Sequence, residues 1–289
     1  IIRKEVDFAH RVRKTSGVIS LSGKTRKPGM KYAEGISIFL NRIEIDPAAK
    51  AREIVEMDYR TADVFRRYGI NYCCGVQWPL QQVCEIQEIK MKDLVTDLQT
   101  ACHTVNIPSG TQFEKWSVDF LIDYIINIHH RYLERSLPEL EGGLVHFLEE
   151  HGKRFPHFTV IYEEFRNLVA MFMPHLKQEE ESIFPYLRQV AHAYDDKIDP
   201  FATLLVKTLR KPLNSFADQE HTMIGEKIRR FRELTNDYIA PSKACSSHRV
   251  ILGKLKELDQ DLLQHLYLEN DILIPKVIRM EQELLQRIY

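Results

Sequence analysis

His265-Leu266-Tyr267-Leu268-Glu269-Asn270 is the stretch on which the reading of the fold turns. A histidine and a glutamate four residues apart share one face of a helix, one turn apart. An imidazole and a carboxylate placed that way can bind one metal or two adjacent metals. The pair recurs as His175 and Glu179, and single histidines stand at His130 and His221. The steps from His130 to His175, to His221 and to His265 are 45, 46 and 44 residues. Three nearly equal steps predict one donor set on each helix of an up-down-up-down four-helix bundle, all at one depth.

The flanking residues carry the same pattern. Ile122, Ile126, His130, Leu133 and Leu137 follow one helical stripe, as do Phe165, Leu168, Phe172, His175, Glu179 and Ile183. Ala217, His221, Ile224 and Ile228 form a third, and Leu258, Leu262, His265, Glu269 and Ile272 a fourth. Each donor therefore interrupts an apolar stripe at a core position. Pro138, Pro156, Pro212 and Pro241 are expected near helix ends. Asp199–Leu209 reads as an extra short helix. Trp78 and Trp116 read as packing anchors, Tyr132 and Tyr186 as core aromatics or neighbours of the donors.

Working outward, 112–289 is the bundle and 46–108 a small helical domain, with Asn106-Ile107-Pro108-Ser109-Gly110 as the linker. Within the small domain, two short helices flank Asp58-Tyr59-Arg60 and Gly69 closes the second. Gly69-Ile70-Asn71-Tyr72-Cys73-Cys74-Gly75 is then a turn with adjacent thiols. Cys73 and Cys74 are candidates for a redox or iron-passing thiol pair, whereas Cys84 and Cys245 read as packing residues. Residues 1–45 are a flexible leader of unknown role, or sequence upstream of a natural start at Met30. The whole is an all-α chain with no run of apolar residues long enough to span a membrane. A formal net charge of −1 gives no general attraction to nucleic acid or to an anionic membrane surface. Five scattered cysteines make no disulfide framework and point to a reducing, cytoplasmic compartment.

Six polar groups at one depth of an apolar core are costly without a common partner. His130, His175, Glu179, His221, His265 and Glu269 exceed the four ligands of a single zinc site. Carboxylates can bridge two cations while imidazoles fill terminal positions. Nitrogen and oxygen donors without thiolate suit iron or manganese. His129 points away from His130 around a regular helix and is expected beside the site or toward solvent.

These residues resemble the iron–sulfur cluster repair di-iron proteins, with their paired-cysteine domain ahead of a hemerythrin-like bundle. Four blocks carry the resemblance: Thr61-Ala62-Asp63-Val64-Phe65 leading into the cysteine turn, His130 with Leu137-Pro138-Glu139-Leu140, His175 with Glu179-Glu180 and Phe184-Pro185, and Glu220-His221 with His265 and Leu268-Glu269-Asn270. The resemblance implies two non-haem iron ions, oxo- or hydroxo-bridged, with His130, His175, His221 and His265 as terminal ligands and Glu179 and Glu269 as bridges. It implies repair of clusters damaged by nitrosative or oxidative stress through iron donation, damaged or apo iron–sulfur proteins as partners, and a homodimer through the cysteine domain. Reduction of nitric oxide or a peroxide at the di-iron site, and sensing of oxygen or nitric oxide, are the alternatives.

The chain departs from the family turn Cys-Cys-Gly-Gly, with Val76 at the second glycine, and Ile1–Glu44 has no counterpart. Ala217 and Asn270 stand where oxygen-carrying hemerythrins place a fifth histidine and an aspartate. Fewer strong ligands favour a labile iron centre over a carrier.

Overall fold

The computed structural model describes residues 30–32, 43–73, 78–102, 111–195, 206, 208 and 213–286. The small domain begins with β1 (Met30–Tyr32), antiparallel to β2 (Ile43–Ile45), with Met30 opposite Ile45. This pair falls inside the stretch read from sequence as a leader. Four short helices follow: α1 (Ala51–Met57), α2 (Thr61–Arg67), α3 (Leu80–Ile86) and α4 (Met91–Ala101). Gly69 adopts φ +67° and lets the Ile70 N–H reach back to the Phe65 carbonyl at 2.8 Å, which ends α2. Ile54, Phe65, Leu80, Leu94 and Leu98 are fully buried and form the core of this domain. Trp78 is 50% exposed, so the expected packing anchor is absent; it lies just ahead of Pro79, outside the helical stripe. Cys74, Gly75, Val76, the linker 106–110 and most of Asp199–Leu209 lie outside the described residues.

The bundle has four rods. The first is α5 (Val118–Tyr124), a π turn (Ile125–His130) and α6 (Arg131–His151). The second is α7 (His157–Gln178), a π turn (Glu179–Ile183) and α8 (Phe184–Tyr194). The third is α9 (Leu213–Thr235). The fourth is α10 (Ser246–Tyr267), a π turn (Leu268–Leu273) and α11 (Ile274–Gln286). Ser117 starts the first rod by accepting the Phe120 N–H at 3.2 Å, a side-chain N-cap.

The core is split in two, and the split gives the rod directions. One apolar cluster holds Leu121, Ile122, Ile183, Leu187, Ile272 and Val277; the other holds Leu133, Leu140, Phe165, Phe172, Ile228, Phe231, Leu255 and Leu262. The first rod runs from the first cluster to the second, and the second and fourth rods run back. In the third, Ile224 and Phe231 of the second cluster follow His221, so it runs with the first. The bundle is therefore up-down-up-down, with the donors in the polar layer between the clusters.

Two expectations about regular helices need correcting. Pro138 lies inside α6 rather than near a helix end. Three of the four rods also leave α geometry at the donors. In each, an N–H reaches five residues back: Arg131 to Ile126, Phe184 to Glu179, and Ile274 to Glu269. Pro185 and Pro275 follow two of these bonds directly. Proline has no N–H to donate, and its ring crowds the carbonyl four residues earlier, so the backbone opens there by one residue.

Candidate metal centre

The π turns shape the site. Glu179 opens the second rod's π turn, Glu269 is the second residue of the fourth rod's, and His130 closes the first rod's. His175 and His265 come from the last α turn before them, and His221 from α9. All six side chains are at least 96% buried. They fall into two four-donor groups, His130–Glu179–His265–Glu269 and His175–Glu179–His221–Glu269. Within each group the donor atoms lie within 4.8 Å of one another, and both glutamates belong to both groups. His130 Nε2 is 3.3 Å from His265 Nε2, and His175 Nε2 is 3.1 Å from His221 Nε2. Glu179 turns Oε1 toward His175 at 3.1 Å and Oε2 toward His130 at 3.5 Å. Glu269 turns Oε1 toward His265 at 3.0 Å and Oε2 toward His221 at 3.4 Å. Each carboxylate thus presents one oxygen to each group.

Three of the four outward ring nitrogens are held as well. His130 Nδ1 lies 2.9 Å from Glu180 Oε1, His175 Nδ1 is hydrogen-bonded to Glu220 Oε2, and His221 Nδ1 lies 2.7 Å from Asn270 Oδ1. A proton on each Nδ1 leaves the Nε2 lone pair facing inward, the tautomer a metal requires. Glu180, Glu220 and Asn270 each adjoin a donor in sequence yet hold a histidine from a different rod. In the sequence this role shows only as a polar residue next to a donor, with nothing to say which histidine it holds. Asn270 is thus the residue that orients His221, not merely a position where a carrier's aspartate is missing. Of the two placements expected for His129, the structure shows the one beside the site: it is buried, on the π turn that it shares with His130. His129 Nδ1 lies 2.9 Å from Asp261 and its ring stacks on His265 at 5.8 Å.

Burial dominates the electrostatics. It pushes His265 down to about 4, and with the neighbouring Glu179 charge it pushes Glu269 up to about 8. Burial also opposes the charge on Glu179, yet hydrogen bonds from His175 and His221 hold that carboxylate far below its usual range. For His175, burial is outweighed by Glu179, Glu269 and Glu220, which raise it to about 9. Glu179 Oε2, Glu269 Oε2 and His265 Nδ1 have no hydrogen-bond partner among the described residues. Four inward-facing ring nitrogens and unsatisfied carboxylate oxygens fit bound cations, which would displace the protons the layer otherwise holds.

Of the other predicted residues, Cys73 is buried far from this layer in sequence and in element, at the end of the turn after α2. Tyr186 donates its hydroxyl to Glu281, and Tyr132 is half-buried in the cleft between the two domains with Arg135 and Lys254. Trp116 packs against Phe113, Phe120 and Tyr124, as expected of an anchor.

Residues 121–277 match the model of the hemerythrin HHE cation binding domain, more than half of the chain. The chain belongs to the hemerythrin HHE family. Residues 48–102, ahead of the hemerythrin domain, match ScdA_N, a domain of unknown function. The same order of modules marks the iron–sulfur cluster repair group that the sequence resembles. The chain is 26% identical over 225 residues to the iron-sulfur cluster repair protein ScdA of Staphylococcus haemolyticus, covering 78% of this chain and 95% of that one. It is 26% identical over 218 residues to a probable iron-sulfur cluster repair protein of Haemophilus influenzae, covering 74% and 90%. It is 23% identical over 229 residues to the iron-sulfur cluster repair protein YtfE of Escherichia coli, covering 77% and 93%. No helix among the described residues is long and apolar enough to cross a membrane.

Proposed function

We infer that this chain repairs damaged iron–sulfur clusters by donating iron held in the polar layer of its hemerythrin domain. The observation that carries this reading is the pair of four-donor groups sharing both glutamates. His130 and His265 would hold one iron and His175 and His221 the other, with Glu179 and Glu269 reaching both. Bound there, iron would supply the ferrous ions that a broken cluster lacks. The relatives' names support the same activity, and the two-domain span of the matches supports carrying it to the whole chain.

The chain's own residues make the iron available rather than permanent. Each group contributes two imidazoles, and only one of the two is backed by a carboxylate: His130 by Glu180, and His175 by Glu220. Asn270 backs His221 with a neutral oxygen, a weaker enhancement of ligand basicity. Phe172, Phe184 and the neighbouring core exclude water from the donors, with rings 5.6 Å from His175 and His130.

Iron transfer tests the reading. The iron-loaded chain, mixed with an apo iron–sulfur protein, is expected to restore its cluster while losing iron in proportion. Glu179→Leu and Glu269→Leu are expected to carry little iron and restore little. Repeated turnover of nitric oxide or peroxide with iron retained, and no transfer to the client, would replace donation with catalysis.

A further inference from the structure

We propose that Cys73, His151 and Cys245 form a second cation site, on the seam between the two domains, for a thiophilic divalent ion such as zinc. The three come from separate elements: the turn after α2, the last residue of α6 and the N-cap of α10. Each presents a ligand atom, and these atoms lie within 4.8 Å of one another. Cys245 Sγ is 3.6 Å from His151 Nε2. In a tetrahedral zinc site with Zn–S of about 2.3 Å and Zn–N of about 2.0–2.1 Å, sulfur and nitrogen stand about 3.6 Å apart. Cys73 is positioned by its own backbone, whose N–H donates to Asn71 Oδ1 at 2.8 Å. The Glu150 carboxylate lies 3.6 Å from the same His151 Nε2, on the half-exposed side where a fourth ligand or water would enter.

This donor set is chemically unlike the buried histidine–glutamate layer. Two sulfurs and one imidazole select soft or borderline ions, whereas the layer offers only nitrogen and oxygen. Burial pushes the Cys245 thiol up, an effect the His248 amide opposes and the neighbouring Cys73 reinforces. Thiolate is the ligating form, so binding would exchange two thiol protons for one dication, releasing the protons to solvent. With Cys73 on one domain and His151 and Cys245 on the other, the ion would tie them together. The inference is independent of the repair reading.

Cobalt(II) is the probe, because thiolate ligation gives a sulfur-to-cobalt charge-transfer absorption that histidine and glutamate cannot. Anaerobic titration of the full chain, its buried layer already loaded with iron, is expected to saturate this band at about one equivalent, with about two protons released and with zinc displacing the cobalt. Cys245→Ser is expected to lower the band to about half or less and to weaken binding; serine is a favoured N-cap, so α10 is retained, as circular dichroism would verify. His151→Gln is expected to weaken binding by about 10-fold or more, and Glu269→Gln to leave the band unchanged. Absence of the band in the wild-type chain would overturn the site, reducing it to a thiol–imidazole hydrogen bond. So would a band unaltered in folded Cys245→Ser, which would place the sulfur elsewhere. Should Cys245→Ser fail to fold, Cys73→Ser decides in the same way, from the other domain.

Discussion

Residues that adjoin a donor in sequence hold a histidine from another rod, and this makes single substitutions informative. Glu220→Gln keeps a hydrogen-bond acceptor but removes the charge behind His175, on a side chain that is 35% exposed. It should weaken metal binding by about 10–100-fold with little change in thermal stability. Equilibrium metal competition and a melting curve read both quantities. Glu269→Gln should weaken both metal positions, because its two oxygens face different groups, whereas His130→Ala should weaken chiefly one. His248 gives a residue-scale test away from the donors. Its ring is buried among Phe147, Phe155 and Phe158. Burial pushes it down to about 4, with His157, His151, Arg249 and Arg154 adding to the effect. The unfolded chain takes up this proton near 6.5, before the folded chain does. Stability from this residue is therefore complete above about 6.5 and is lost as pH falls toward 4. Denaturant midpoints across that range should fall for the wild type and fall less for His248→Leu.

The helical elements show where sequence reading succeeds and where it stops. The six donors are legible as a convergent set because each interrupts an apolar stripe and the intervals between rods are nearly equal. The π turns are not legible in that way. A stripe read at three- and four-residue steps assumes an unbroken α-helix, and one extra residue per turn escapes it. Pro185 and Pro275, each six residues after a donor glutamate, were the available signal. Pro275→Ala restores an N–H where the rod opens. It should leave the melting temperature unchanged or higher and reduce metal affinity, since Glu269 is the second residue of that turn. Lower stability together with undiminished affinity would show that the proline does not shape the turn.

For the whole molecule, composition suggests a small domain ahead of the bundle, but how the two pack is not legible, because the contacts join residues far apart in the chain. The Tyr59 hydroxyl donates to Glu257 at 2.8 Å, Arg66 donates to the Glu139 carbonyl at 2.9 Å, and Lys254 pairs with Asp63. Val250 of α10 packs into the core of the small domain. Gly253 admits the Tyr59 ring so closely that an added Cβ would stand 3.0 Å from it. Gly253→Leu should cost about 1–3 kcal/mol at this seam. Limited proteolysis should then release the small domain more readily while the bundle keeps its metal.

Repair by iron donation stands or falls on one measurement: iron counted on the full chain before and after incubation with an apo iron–sulfur protein. About two irons per chain are expected at the start, one for each donor group, and a loss from the chain equal to the iron that appears in the restored cluster. A chain that contains no iron after growth in iron-replete medium, or one that keeps its iron while the client stays apo, would contradict iron donation.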